Sequence, residues 1–304
     1  RRTFLLLLFG LAHAWLLWTG DILFTYAMCG FVVFLFRNKQ PKTLIILGLV
    51  SVAIASAISL MGPFSMPLWS AEDVAEMMDN WAPGAATLAS ELEAYRGGWT
   101  LQNTHRFEAA LGMQTGIFLL NLSWRAGGLM LVGMGLHKLG VFSAALPAAA
   151  YRRLALVALA GGLPLAAAGV WVHERTDWAL NPGFFAATQF NYWGSILVAL
   201  GWVGLVMLFC QKRRGSLLHR SLAATGQMAL TNYLMQTIIC TTIFYGHGFG
   251  LYGSVERTGQ ILIVLAVWAV QLLWSPWWLA RFRFGPFEWL WRSLTYMKLQ
   301  PMRR

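Results

Sequence analysis

Charge is scarce in this sequence. Asp, Glu, Lys and Arg make up 12% of its 304 residues, about half the share found in soluble domains. With 58% of residues hydrophobic, a water-facing exterior cannot be assembled, which excludes an ordinary soluble fold. Acid is scarcer still, at 12 Asp and Glu against 23 Lys and Arg. Cysteine is limited to Cys29, Cys210 and Cys240. All three sit inside apolar runs without metal-ligand or paired spacing, so neither a disulfide framework nor a zinc site is predicted. His105, His137, His173 and His219 likewise share no metal-ligand spacing, and no metal is expected. The sequence also lacks a phosphate loop. Gly127-Gly128 and Gly161-Gly162 follow no strand and are expected to allow close helix packing, while the glycines at 246, 248, 250 and 253 form a turn.

What is present is a series of apolar runs near the ~20 residues that cross a bilayer. Eight spans are predicted, at about 3–19, 22–36, 43–61, 117–137, 154–172, 191–210, 222–245 and 259–279. The first two are short and joined only by Gly20 and Asp21, hence a hairpin whose tip lies at or just inside the membrane surface. Arg1, Arg2 and the run after them resemble the start of a signal peptide, but no small-residue cleavage pattern follows.

Basic residues orient this model. Alternating the spans from Arg1 places the N-terminus, 37–42, 138–153, 211–220 and the tail 281–304 on one face, with 18 of the 23 Lys and Arg residues. The other face holds Arg96, Arg106, Arg175 and Arg257, and Arg125 lies inside a span. The basic face is cytoplasmic by the positive-inside rule, which puts both ends of the chain there. Eleven of the 12 acids fall outside or at the outer hairpin, leaving Glu288 alone on the basic side. A net charge of +11 would otherwise raise nucleic-acid binding. Its placement at helix ends beside Trp289, Trp291 and Tyr296 fits an interfacial anchor instead.

The fold class predicted is therefore all-α: a polytopic helical bundle in a lipid bilayer, read as a single membrane domain over 1–304. The polar stretch 62–110 is too rich in Trp, Leu and Met for a linker. It is expected to form one or two amphipathic helices as an outer cap.

An ionisable or polar residue in lipid is costly unless paired, so such residues are the candidates for function. His13 lies mid-span about two turns before Asp21, and its ordinary pKa suits a general base or proton relay. A neutral histidine bonded to a neighbouring helix is the plainer alternative. Asp21 either orients a group at the hairpin tip or is a solvated turn residue. Arg125, near Asn121 and Ser123, must face water, pair structurally, or bind an anionic substrate part. Asn232 and Gln236, four apart on one helix face, line a pathway or bond between helices. His247 lies just past that helix.

Several motifs resemble the YeiB-like family of bacterial inner-membrane proteins. They are Gly10-Leu11-Ala12-His13 through Leu17-Trp18-Thr19-Gly20-Asp21-Ile22-Leu23, and Trp124-Arg125 with Gly133-Met134 and Lys138-Leu139-Gly140. Two more are Gly226-Gln227-Met228-Ala229-Leu230-Thr231-Asn232-Tyr233-Leu234 with Gln236, and Phe282-Arg283-Phe284-Gly285-Pro286-Phe287-Glu288-Trp289-Leu290-Trp291-Arg292. The resemblance spans essentially the whole chain. Members usually begin with further helices bearing a Leu-Asp, Arg-Gly signature, absent here as is an initiator Met, so the sequence is expected to be a piece of a longer chain.

The family is distantly similar to transmembrane acyltransferases, including the heparan-glucosaminide acetyltransferase type. That similarity implies acyl transfer from a cytoplasmic donor such as acyl-CoA to an outer acceptor, with His13 as base and Arg125 holding an anionic group. A transporter for a small or anionic solute and a non-catalytic membrane scaffold are the alternatives.

Overall fold

A computed structural model describes residues 1–304, the side chain of Pro182 excepted. It is helical throughout, and no β-sheet forms among the described residues; one isolated bridge links Phe282 to Arg303. The helices are α1 (Arg2–Leu16), α2 (Leu23–Val33), α3 (Pro41–Ser65), α4 (Ala71–Trp81), α5 (Ala85–Arg96), α6 (Trp99–Gly112), α7 (Ser123–Lys138), α8 (Ala148–Arg175), the short turn α9 (Leu180–Pro182), α10 (Thr188–Lys212), α11 (Leu217–Gln227), α12 (Ala229–Phe244), α13 (Arg257–Leu279) and α14 (Pro286–Tyr296).

Five helical runs are long and apolar enough to cross a membrane: Pro41–Leu68, Trp99–Lys138, Ala148–Arg175, Gly183–Lys212 and Arg257–Leu279. Arg2–Leu16 and Leu23–Phe36 are apolar but shorter. Large apolar side chains such as Leu156, Trp171, Trp202 and Leu273 are exposed on these helices, as a lipid-facing surface requires. The chain is a multi-pass membrane protein.

Two compact units divide the chain, one made of residues 1–31, 88–117 and 215–304, the other of 32–87 and 118–214. In the second unit, α3 packs on α7 and α8 on α10 through backbone-to-backbone contact at glycine. A Cβ on Gly48 would stand 2.5 Å from the carbonyl of Gly128, and one on Gly162 would stand 2.9 Å from that of Gly194. Small residues let helices approach where lipid removes the hydrophobic drive to associate, which is the use expected for Gly128 and Gly162.

In the first unit, Leu23, Leu230 and Leu234 form a core with Leu6, Phe9 and Trp291 packed against it. A second core joins Ala224, Met228 and Leu279. The apolar stretch 222–245, expected as one span, is two helices that break at Met228, whose φ of −106° and ψ of 29° leave the helical region. The tail explains the break. The Glu288 carboxylate of α14 accepts the backbone N–H of Thr231 at 2.9 Å and its hydroxyl at 2.5 Å. It thereby satisfies an orphan donor in the first turn of α12 and complements its dipole. The one acid of the basic tail 281–304 is thus a helix cap, and the tail contains a helix, α14, that was not expected.

Residues 62–110 also differ from expectation. They form α4, α5 and α6, and α6 runs on without interruption through a π-helical segment, Met113–Leu122, into α7. That helical run therefore begins at Trp99, where hydropathy placed its start at 117. The stretch was expected to lie on the outer surface, yet Gln102 and Arg106 are buried within the first unit. α4 opens with a capping box in which Ser70 and Asp73 each satisfy the other's backbone N–H.

Candidate active site

The first hairpin is shaped by what its turn must satisfy. α1 ends at Leu16, where Arg106 donates from Nη1 to the exposed carbonyl, a cation on a helix C-terminus. Beyond it, Asp21 caps α2. Its Oδ2 accepts the Phe24 N–H at 2.7 Å, three residues on, as an N-cap carboxylate does. Gly10 makes the closure feasible, because a Cβ there would lie 2.3 Å from the Phe24 nitrogen and 2.9 Å from Asp21 Oδ2.

Held in this way, Asp21 turns its other oxygen to His13, and Nδ1 of His13 stands 2.9 Å from Oδ1. A carboxylate only accepts, so Nδ1 carries a proton, and whenever the ring is neutral Nε2 is the acceptor. Nε2 takes the hydroxyl of Thr237 on α12 at 2.9 Å. The Tyr233 hydroxyl donates to the same Asp21 oxygen at 3.2 Å and accepts from the Ile22 N–H at 3.2 Å. Its ring lies 5.0 Å from the imidazole. His13 and Asp21 are only 2% and 7% exposed, so this carboxylate is no solvated turn residue.

Thr237 and Tyr233 also line a cavity of about 820 Å³ in the same unit, within the range of small-molecule sites. Trp18, Gln236 and Tyr252 border it as well. The order is thus carboxylate, imidazole, hydroxyl, cavity. In this geometry the imidazole can receive a proton from a hydroxyl or amine while the carboxylate fixes its tautomer and stabilises the resulting cation.

Asn232 and Gln236 bond across to α13. The Asn232 amide donates to Ser275 Oγ and to the Thr225 carbonyl, each at 3.1 Å. The Gln236 amide donates to Gln271 Oε1 at 2.8 Å, and Gln271 in turn donates to the Asn232 carbonyl at 2.9 Å. Gln236 reaches the cavity as well.

Arg125 belongs to the second compact unit. It donates to Ser195 Oγ at 2.9 Å and its guanidinium lies 4.0 Å from the Tyr192 ring centroid. No carboxylate pairs with it among the described residues. His247 lies in the loop after α12, bonded through Nδ1 to Gln102 Oε1 at 2.9 Å. Burial, and then the nearby Arg106 charge, lower its pKa below the ordinary histidine value. No three His, Cys, Asp or Glu residues cluster as metal ligands among the described residues.

Thr237 and Glu91, another cavity-lining residue, were not among the expected site residues, and Tyr233 appeared only within the Gly226–Leu234 motif. Thr and Tyr in an apolar helix carry no charge to flag them. The four-residue spacing of Tyr233 and Thr237 on one helix face was a signal for both.

Comparison with known proteins bears on the whole chain. A family model described as "Protein of unknown function (DUF418)" matches residues 136–298. "Uncharacterized protein YxaH" of Bacillus subtilis (strain 168) is 34% identical over 322 residues, covering 99% of this chain and 72% of that protein. "Uncharacterized protein YeiB" of Escherichia coli (strain K12) is 30% identical over 308 residues, covering 99% of this chain and 76% of its own length. No solved structure matches the chain.

Proposed function

The chain belongs to the YeiB-like DUF418 family, and we propose from the site that it is a membrane-embedded acyltransferase. One observation carries this reading: the buried Asp21–His13 pair presents Nε2 to Thr237, a residue on the cavity wall. An acceptor hydroxyl or amine that displaces the Thr237 hydroxyl meets Nε2 directly. Nε2 takes its proton as the acceptor attacks the carbonyl of a thioester donor. The new acyl–oxygen or acyl–nitrogen bond forms, the carbon–sulfur bond breaks, and the thiolate leaves and recovers the proton from the imidazolium.

In this reading the protein sits in a bacterial inner membrane with its basic loops and both ends of this chain cytoplasmic. It crosses the bilayer several times, and the part of 62–110 that precedes Trp99, α4 and α5, provides the outer cap. Acyl-CoA supplies the acyl group from the cytoplasm to an outer acceptor. Arg125, in the other compact unit and with no carboxylate partner among the described residues, is a candidate anion-binding residue in its own right. Gln236 contributes to the cavity wall, and Asn232 holds α12 to α13.

Membrane vesicles carrying the full chain and given labelled acetyl-CoA test this. Label should appear in envelope lipids or glycans and fall ~10²–10⁴-fold in His13→Ala, the usual worth of a general base. Undiminished labelling in His13→Ala overturns the proposal. Solute uptake by the same vesicles without any label transfer would assign the cavity to a transporter.

A further inference from the structure

The cavity carries information about what it would hold. Among its lining residues Glu91 is the one formally charged side chain, and no Lys, Arg or His accompanies it. Trp18, Tyr233, Tyr245 and Tyr252 supply aromatic rings to the same wall, and Leu88, Ile263 and Val264 supply aliphatic surface.

The aromatic part is built as a cluster. Tyr245 and Tyr252 meet edge to face with centroids 6.0 Å apart, and Tyr95 stacks on Tyr252 at 4.6 Å. The Tyr252 hydroxyl donates to Glu91 Oε1 at 2.6 Å. Burial and the Glu91 charge push the Tyr252 pKa well above the phenol range, so it remains a donor and cannot neutralise the carboxylate. Arg96, the cation nearest in sequence, binds the rim and not Glu91, donating to the Tyr252 carbonyl at 2.7 Å and to Ser254 Oγ at 2.8 Å. No cationic side chain forms an ion pair with Glu91 among the described residues.

We propose that this cavity is an ammonium cage: it binds an amphiphile with a cationic head, using Glu91 as the counter-charge and Trp18, Tyr233, Tyr245 and Tyr252 as the ring walls. Ring faces attract ammonium groups through their quadrupoles, most strongly where water is excluded. A carboxylate without a cationic partner adds Coulomb attraction for the same ligand and repels phosphate or sulfonate heads. The aliphatic wall accommodates the tail. Calling this ligand the acyl acceptor rests on the acyl-transfer reading; its binding does not.

The test uses the full chain in nonionic micelles and three probes of equal chain length: octyltrimethylammonium, octyl glucoside and octanesulfonate. Calorimetric titration should find the cation bound at least about tenfold tighter than the sulfonate, the order expected of cation–ring and charge terms together. Glu91→Gln should erase most of that preference, and Trp18→Leu should weaken the cation more than the glucoside. Tyr252→Phe, which keeps the ring, should preserve the preference.

Equal affinity for cation and sulfonate overturns the cage. So does an undiminished preference in a folded Glu91→Gln protein; if that variant does not fold, an undiminished preference in Trp18→Leu does so. Acyl transfer that persists without selective ammonium binding rejects the cage and spares the acyltransferase. Selective binding without transfer to any amphiphile does the reverse.

Discussion

The Asp21 carboxylate serves two helices at once, accepting from His13 Nδ1 of α1 through Oδ1 at 2.9 Å while Oδ2 takes the Phe24 N–H of α2 at 2.7 Å. Position and chemistry are thereby coupled. The group that sets the imidazole tautomer is itself held in place by capping the next helix. A shift of the hairpin turn would move both interactions together.

Asp21→Asn separates the two roles. The amide oxygen still caps α2, so the thermal midpoint should fall only slightly, by a cap-sized loss of ~1 kcal/mol or less. Its amide nitrogen can face Nδ1 only as a donor, which favours the opposite tautomer and removes the acceptor at Nε2. Acyl transfer should fall by ~10³-fold or more, as when a triad carboxylate becomes an amide. Parallel melting curves and labelled-donor assays check this, and a large stability loss with little activity loss would contradict it.

Gly10→Ala tests the close approach of α1 to the start of α2. A Cβ 2.3 Å from backbone nitrogen cannot be relieved by a rotamer change, so the helices must part. The expected cost is ~1–3 kcal/mol, typical of overpacking, read as a lower midpoint in detergent. An unchanged midpoint would mean the hairpin does not close as described.

Glu288→Gln keeps an oxygen for the Thr231 N–H but loses the charge at the start of α12. Glu288→Ala loses both. Stability should fall in that order, by a few tenths of a kcal/mol for the first and ~0.5–2 kcal/mol for the second. Hydrogen exchange at Thr231 should rise in step, and equal exchange in all three proteins would remove the cap from the account.

His247 contributes a pH dependence of known sign. Its folded pKa lies below the ordinary value because burial, and then Arg106, disfavour the charged ring. The unfolded chain therefore binds a proton first as pH falls. The stability linked to His247 is present above about 6.5, the ordinary histidine pKa, and declines as pH drops toward the lower folded value. His247→Gln should flatten that part of the curve of melting temperature against pH between neutral and mildly acidic conditions. A slope identical to that of the parent protein would exclude His247 as its source.

Much of the helical layout was legible because lipid makes apolar length a direct signal. Helices cover the stretches expected near 43–61, 154–172, 191–210 and 259–279, while α1 ends at Leu16, short of the expected 3–19. The errors fall where hydropathy and helicity separate. Gln102 and Arg106 broke the apolar pattern of a helix that continues, with Gln102 paired to the Gly97 carbonyl and His247 and Arg106 donating through Nη1 to the Leu16 carbonyl. In 222–245 every residue looked compatible with one span, yet the cap from Glu288, 57 residues from Thr231, starts a new helix inside it. A partner so distant leaves no periodic trace.

For the candidate site, His13, Asp21, Arg125, Asn232 and Gln236 stood out because charge and amide groups in lipid demand partners. Residue type alone therefore determined that these positions needed compensation and that the chain belonged in a membrane. Tertiary structure decided which compensation each received. Asp21 went to His13 and the α2 terminus, Asn232 and Gln236 to α13, and Arg125 to Ser195 and a tyrosine ring. It also brought Thr237 to the imidazole from 224 residues away. The physical reason is that desolvation cost is a property of the residue, whereas hydrogen bonding depends on a few ångströms of separation that only the packed helices set.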